Sequence, residues 1–138
     1  MANSKYITPE GKTKLLKLGF INKGDSSFQY LALGGEGSSA STSNDARNFS
    51  EVGGSDYTRV QLKNESDNDI NSQSITLSGV FESGNYRPSN GGVIEEIGIV
   101  DNSEKSSSQD TFFAFAKVPK ISKTDNMSLK YTIIITIL

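Results

Sequence analysis

The chain has 138 residues, with 14 basic and 16 acidic side chains for a net charge of −2, and it contains neither Cys nor His. This balance leaves no basic face for nucleic acid. Without Cys there is no disulfide framework or thiolate metal site, and without His the commonest general base and metal ligand are missing. Ile, Val, Leu and Phe total 34 residues, above the roughly 20% below which a chain cannot bury enough to fold.

Of those 34, 16 fall in residues 93–138. The pattern predicts one domain spanning 1–138, with a core built mainly from its C-terminal third. No apolar run approaches the ~20 residues of a membrane helix, and the first five residues lack the apolar core of a signal peptide. The expectation is a soluble product that does not follow the standard secretory route.

Thr8, Pro9 and Glu10 read as a helix start: an N-cap, a proline at the first helical position and an acid near the positive end of the dipole. Leu15, Leu16 and Leu18 follow, and Gly19 reads as a stop. A short helix over about 9–18 is expected, with Lys12, Lys14 and Lys17 on its wet side.

Residues 28–33 predict a strand. A run with almost no apolar content follows, from Gly34, Gly35, Glu36 and Gly37 to about residue 55. A loop of this length in a small domain is either functional or mobile. One reading is an arm that orders against a neighbouring subunit; the other is a plain surface loop over about 34–56.

Residues 57–62 predict a further short strand, and residues 64–72 a polar turn. Residues 74–81 alternate, with Ile75, Leu77 and Phe81 on one face. Gly79 in their midst suggests a bulge or a close backbone approach. Residues 85–92 read as a loop.

Residues 93–100 and 112–118 are the centre of the chain, two apolar segments joined by a polar run and expected to pair antiparallel. In the first, Glu95 and Glu96 alternate with apolar residues, so one carboxylate goes inside with either face. A buried carboxylate needs a partner. Arg59 is the candidate for Glu96, as a structural salt bridge. Residues 129–138 carry the strongest strand pattern, with Leu129, Tyr131, Ile133, Ile135 and Ile137 on one face. Such a strand belongs inside a sheet or against another subunit.

The whole is mainly β: an antiparallel β-sandwich with one short N-terminal α-helix. Its motifs carry little chemistry. The glycines at 34–37 lack the Gly-Lys-Ser/Thr of a phosphate loop. Asp67, Asn68, Asp69 and Asn71 begin like a calcium loop, but Ser72 and Ser78 stand where Gly and Glu are required. Glu95 and Glu96 are adjacent on a strand, point to opposite faces and form no catalytic pair. No catalytic residue, cofactor or metal ligand is expected, and the chain is expected not to be an enzyme.

One resemblance spans nearly the whole chain. Ile94-Glu95-Glu96-Ile97-Gly98-Ile99-Val100-Asp101, a variable turn and Phe112-Phe113-Ala114-Phe115-Ala116-Lys117-Val118-Pro119-Lys120-Ile121-Ser122-Lys123 resemble the core hairpin of the bacteriophage tail-collar fibre family. Tyr57-Thr58-Arg59-Val60 and residues 74–81 resemble its preceding strands. Residues 8–18 and Tyr30-Leu31-Ala32-Leu33-Gly34 resemble its opening helix and strand. Val100 replaces the family's aromatic, the 102–110 loop is longer, and the fibre shaft is not represented.

The resemblance implies a virion structural protein limited to the attachment domain, on the tail collar or as a capsid head-fibre or decoration component. It implies docking to itself, as a homotrimer, and to other virion proteins, with no nucleic acid or membrane partner. Gly34, Gly35, Glu36, Gly37, Phe49, Tyr86, Arg87 and Leu138 are the candidate assembly contacts. The alternative reading is a carbohydrate-binding host-recognition module, for which Phe49, Tyr57 and Tyr86 would stack on a sugar.

Overall fold

A computed structural model describes residues 8, 15–21, 28–43, 45–54, 56–65, 74–84, 86, 92–104, 110–124 and 126–137. The fold is mainly β, as the alternation predicts: two antiparallel sheets pack face to face. The seven strands are β1 (Tyr30–Gly34), β2 (Val60–Gln61), β3 (Lys63–Asn64), β4 (Ser74–Phe81), β5 (Val93–Val100), β6 (Phe112–Ser122) and β7 (Leu129–Thr136). One sheet has the order β2-β1-β5-β6 and the other β3-β4-β7.

The two sheets meet at one corner. The segment predicted as a single strand over 57–62 instead passes from β2 to β3 around Leu62, whose N–H donates to the Gln29 carbonyl at 2.7 Å. That side of the sandwich is closed by the chain itself. At the other side lie β6 and β7, each paired on one flank only among the described residues.

The interior is set by register. Leu31 and Leu33 of β1 lie opposite Ile99 and Ile97 of β5, so all four share one face. They are buried with Phe81 from the other sheet. Gly79 explains how closely the sheets approach. A Cβ there would meet Leu31 Cδ2 at 2.7 Å, with Leu31 Cβ and Val60 Cγ2 both at 3.3 Å. The β4–β7 register runs unbroken through Gly79, so the glycine marks a close approach and no bulge.

The predicted helix lies outside the described residues over 9–14. What is described is a π-helical turn, Lys17–Ile21, that continues through Gly19, where the sequence predicts a stop. Tertiary packing overrides the local signal: Leu16 is buried against Ile75 and Leu77, and Phe20 packs on Phe28 and Phe113. The central hairpin of β5 and β6 is antiparallel as expected, with register shifts in β6 opposite Ile94/Glu96 and Ile99/Val100. The second shift sets Phe112 and Phe115 stacked together at 4.9 Å, while Phe113 meets Phe20 and Phe28.

Candidate assembly surface

Three features of this sandwich bear on what it can do: a buried carboxylate, a buried guanidinium and an open apolar edge.

Glu96 lies on β5 with its side chain fully buried. The Gly- and Ser-rich segment after β1 folds over it. This segment carries a one-turn helix, α1 (Ala40–Ser43), and a 3₁₀ turn, Ala46–Asn48. Ser38 Oγ donates to Glu96 Oε1 at 2.7 Å, and the Ala40 N–H donates to the same oxygen at 3.0 Å. The Ser41 N–H donates to Oε2 at 2.7 Å, joined there by the Ser41 hydroxyl. Burial alone would push this carboxyl up. The Ser41 and Ser38 hydroxyls and the Ser41 and Ala40 amides outweigh that and hold it below the usual glutamate value.

The residue types of this segment follow from that job. Gly34 has no room for a side chain: a Cβ would lie 2.7 Å from Ser38 Oγ and 2.9 Å from Phe49 Cε1. The segment then returns along the flank of β1. Gly35 donates to the Ser50 carbonyl at 2.7 Å, Val52 donates to the Leu33 carbonyl at 3.0 Å, and Gly34 and Glu51 form a bridge.

Arg59 is the second buried charge, and its partner is a correction to the expectation. It does not pair with Glu96. Its guanidinium lies 2.8 Å from both Glu51 Oε1 and Asp110 Oδ2. It also donates to the Asn102 and Glu104 carbonyls at 3.0 Å, and it sits 5.6 Å from the Phe112 ring centroid. Burial disfavours the charged form of Arg59, and the bonds to Glu51 and Asp110 outweigh it and raise its pKa. Tyr57 donates to Glu51 Oε2 at 2.5 Å and accepts from the Leu33 N–H at 3.1 Å. The physical reason for the change of partner is that Glu96 is already saturated by O–H and N–H donors on its own face of the sheet. Arg59 ties Glu51 to Asn102, Glu104 and Asp110 instead.

The assembly-contact candidates divide. Gly34 and Gly35 are buried, and Phe49 packs its ring on Phe112 and Phe115 at 5.2 Å. Tyr86 is buried, at φ 52, with its ring edge on Tyr57 at 5.8 Å. These four pack within this chain's own fold. Glu36 and Gly37 are exposed, and the Gly37 N–H donates to Glu95 Oε2 at 2.9 Å. Arg87 and Leu138 lie outside the described residues, as does the calcium-like 67–72 run. Among the described residues, no three acidic side chains gather to hold a metal.

The sequence pattern puts residues 129–138 inside a sheet or against another subunit; within this chain β7 is paired on one flank only among the described residues. Between β6 and β7 runs a groove of about 340 Å³, lined at its base by Ile97 and Ile99 and on its flanks by Phe113, Ala116, Ile133 and Ile135. Phe113 is 44% exposed and Ile134 67%. The inward residues of β7, from Leu129 to Ile135, are only half-buried, in contrast to the fully covered Ile75 and Leu77 of β4. Ile134 and Leu138 are the apolar residues among Lys130, Thr132 and Thr136 on the other side of the 129–138 sequence pattern.

No protein-family model matches this chain, and neither does any curated protein or solved structure.

Proposed function

We propose that this chain is a non-enzymatic structural protein of a bacteriophage virion that works by docking through the open side of its sandwich. The observation that carries the docking reading is the apolar groove between β6 and β7, with Phe113 and Ile134 exposed at its rim. Exposed apolar surface bordered by polar residues marks an interaction site, and a strand with a free flank is a template for pairing. The virion reading rests on the resemblance of the 94–101 and 112–123 hairpin to tail-collar fibre proteins. The partners are further copies of the chain and a larger capsid or tail scaffold.

The buried charges fit this role without chemistry. Glu96 and Arg59 have all their bonds directed at the chain's own backbone and side chains, which suits a rigid support. The test is immunogold labelling of virions with an antibody to the purified protein. Label on the capsid or at the tail is the expected result. Particles that carry no label would overturn the virion reading.

A further inference from the structure

Four strands lie at sheet edges among the described residues: β2 and β3, of two residues each, and the long strands β6 and β7, which differ in how well they are guarded. β6 carries two register shifts, Pro119 in its second half, and exposed Lys117 and Lys120, the latter side chain 60% exposed. Bulges, prolines and lysines are the devices that keep an edge from pairing. β7 has none of the first two. Its eight residues pair with β4 in unbroken register. Its one charge, Lys130, is held 3.8 Å from Glu65 of the same chain.

Resting on the docking reading, we propose that β7 pairs antiparallel with β7 of a second copy about a two-fold axis at Ile134. Among the described residues β7 is the one long edge without a bulge or proline, and a self-complementary contact through it closes. The strand is self-complementary about that residue. Ile133 falls opposite Ile135 of the second copy, Thr132 opposite its Thr136, and Ile134 opposite its Ile134. Apolar meets apolar and threonine meets threonine on matching faces. The two Lys130 side chains end roughly 27 Å apart, at about 3.4 Å per residue, so no like charges oppose. The pairing joins two three-stranded sheets into one of six and lays the second copy across the groove. It favours a two-fold pair over the trimer that the resemblance implies.

The chain has no Cys, so a single introduced thiol reports on its own position. Ile134→Cys is expected to form a disulfide-linked dimer under mild oxidation, while Lys130→Cys stays monomeric on the same gel. Ile134→Lys is expected to weaken self-association at least tenfold in sedimentation equilibrium with an unchanged thermal melt, since the residue is exposed. Cross-linking of Lys130→Cys as fast as Ile134→Cys would overturn the proposed register. Dimers that sediment normally with Ile134→Lys would overturn the site. A wild-type chain that stays monomeric at millimolar concentration would overturn self-pairing, and gold label on virions would then leave the virion reading standing.

Discussion

Ser38 reaches across 58 positions of sequence to donate its hydroxyl to Glu96 at 2.7 Å, and that bond anchors the glycine- and serine-rich segment to the sheet. Glu96→Gln keeps the shape but turns one acceptor into a donor facing the Ser41 or Ala40 amide. Hydrogen bonds to a buried charge contribute about 1.5–3 kcal/mol, so a loss of about 2 kcal/mol is expected in urea unfolding.

The same residue sets an acid limit. Its folded pKa lies below the unfolded value of about 4.3, so its contribution is fully present above that pH. The contribution is lost as pH falls through the lower folded value, because protonation removes the charge the donors hold. The difference in unfolding free energy between wild type and Glu96→Gln should therefore be constant from pH 7 to about 5 and shrink below about 4. A difference that grows on acidification would contradict the hydrogen-bond geometry.

Arg59→Ala leaves Glu51 and Asp110 buried without their cation. Their side chains are 9% and 12% exposed, and that of Arg59 is 1%. Breaking a buried pair from one side costs about 3–5 kcal/mol, and differential scanning calorimetry should show a correspondingly lower Tm. Arg59→Lys should recover only part of the loss, because one ammonium cannot reproduce the forked contacts to two carboxylates and two carbonyls.

Excision of residues 38–50 should destabilise the isolated chain, in contrast to the behaviour of a dispensable arm. It removes all the donors that hold Glu96 and uncovers Phe112 and Phe115. A circular dichroism melt at low protein concentration separates this effect from any change in assembly.

Gly79→Ala should cost about 1–3 kcal/mol although alanine ordinarily suits a strand better than glycine. The added methyl would sit 2.7 Å from Leu31 Cδ2 and 3.3 Å from Leu31 Cβ and Val60 Cγ2, so the fully buried Leu31 has to shift within the core.

The elements legible in the sequence are those whose side chains face a core. Residues 74–81 and 93–100 show their alternation and are β4 and β5 to the residue. That one of Glu95 and Glu96 goes inside and needs a partner was also legible; that it is Glu96 was not, because both faces of the strand carry apolar residues. Nor was the identity of that partner. Opposite charge suggested Arg59, but the donors are backbone amides and serine hydroxyls, which leave no periodic signal. The 34–56 segment read as a loop because hydrogen bonds and glycine contacts hold most of it, with only a few scattered apolar residues such as Phe49 and Val52 packed inward. The β2-to-β3 crossing was hidden for another reason: Val60 and Leu62 alternate as one strand would, and only tertiary pairing divides them. The pattern of β7 called for a neighbour on both flanks, but it is the same whether that neighbour is a strand of this chain or another subunit, so the open flank itself was not legible.

Hydrogen–deuterium exchange of the full chain over a concentration series tests the docking account most directly. As the protein concentration rises, amides of β7, with those of 112–116 across the groove, should gain protection, while those of 34–52 stay unchanged. Protection that is independent of concentration, or that appears in 34–52 and not in β7, would contradict it.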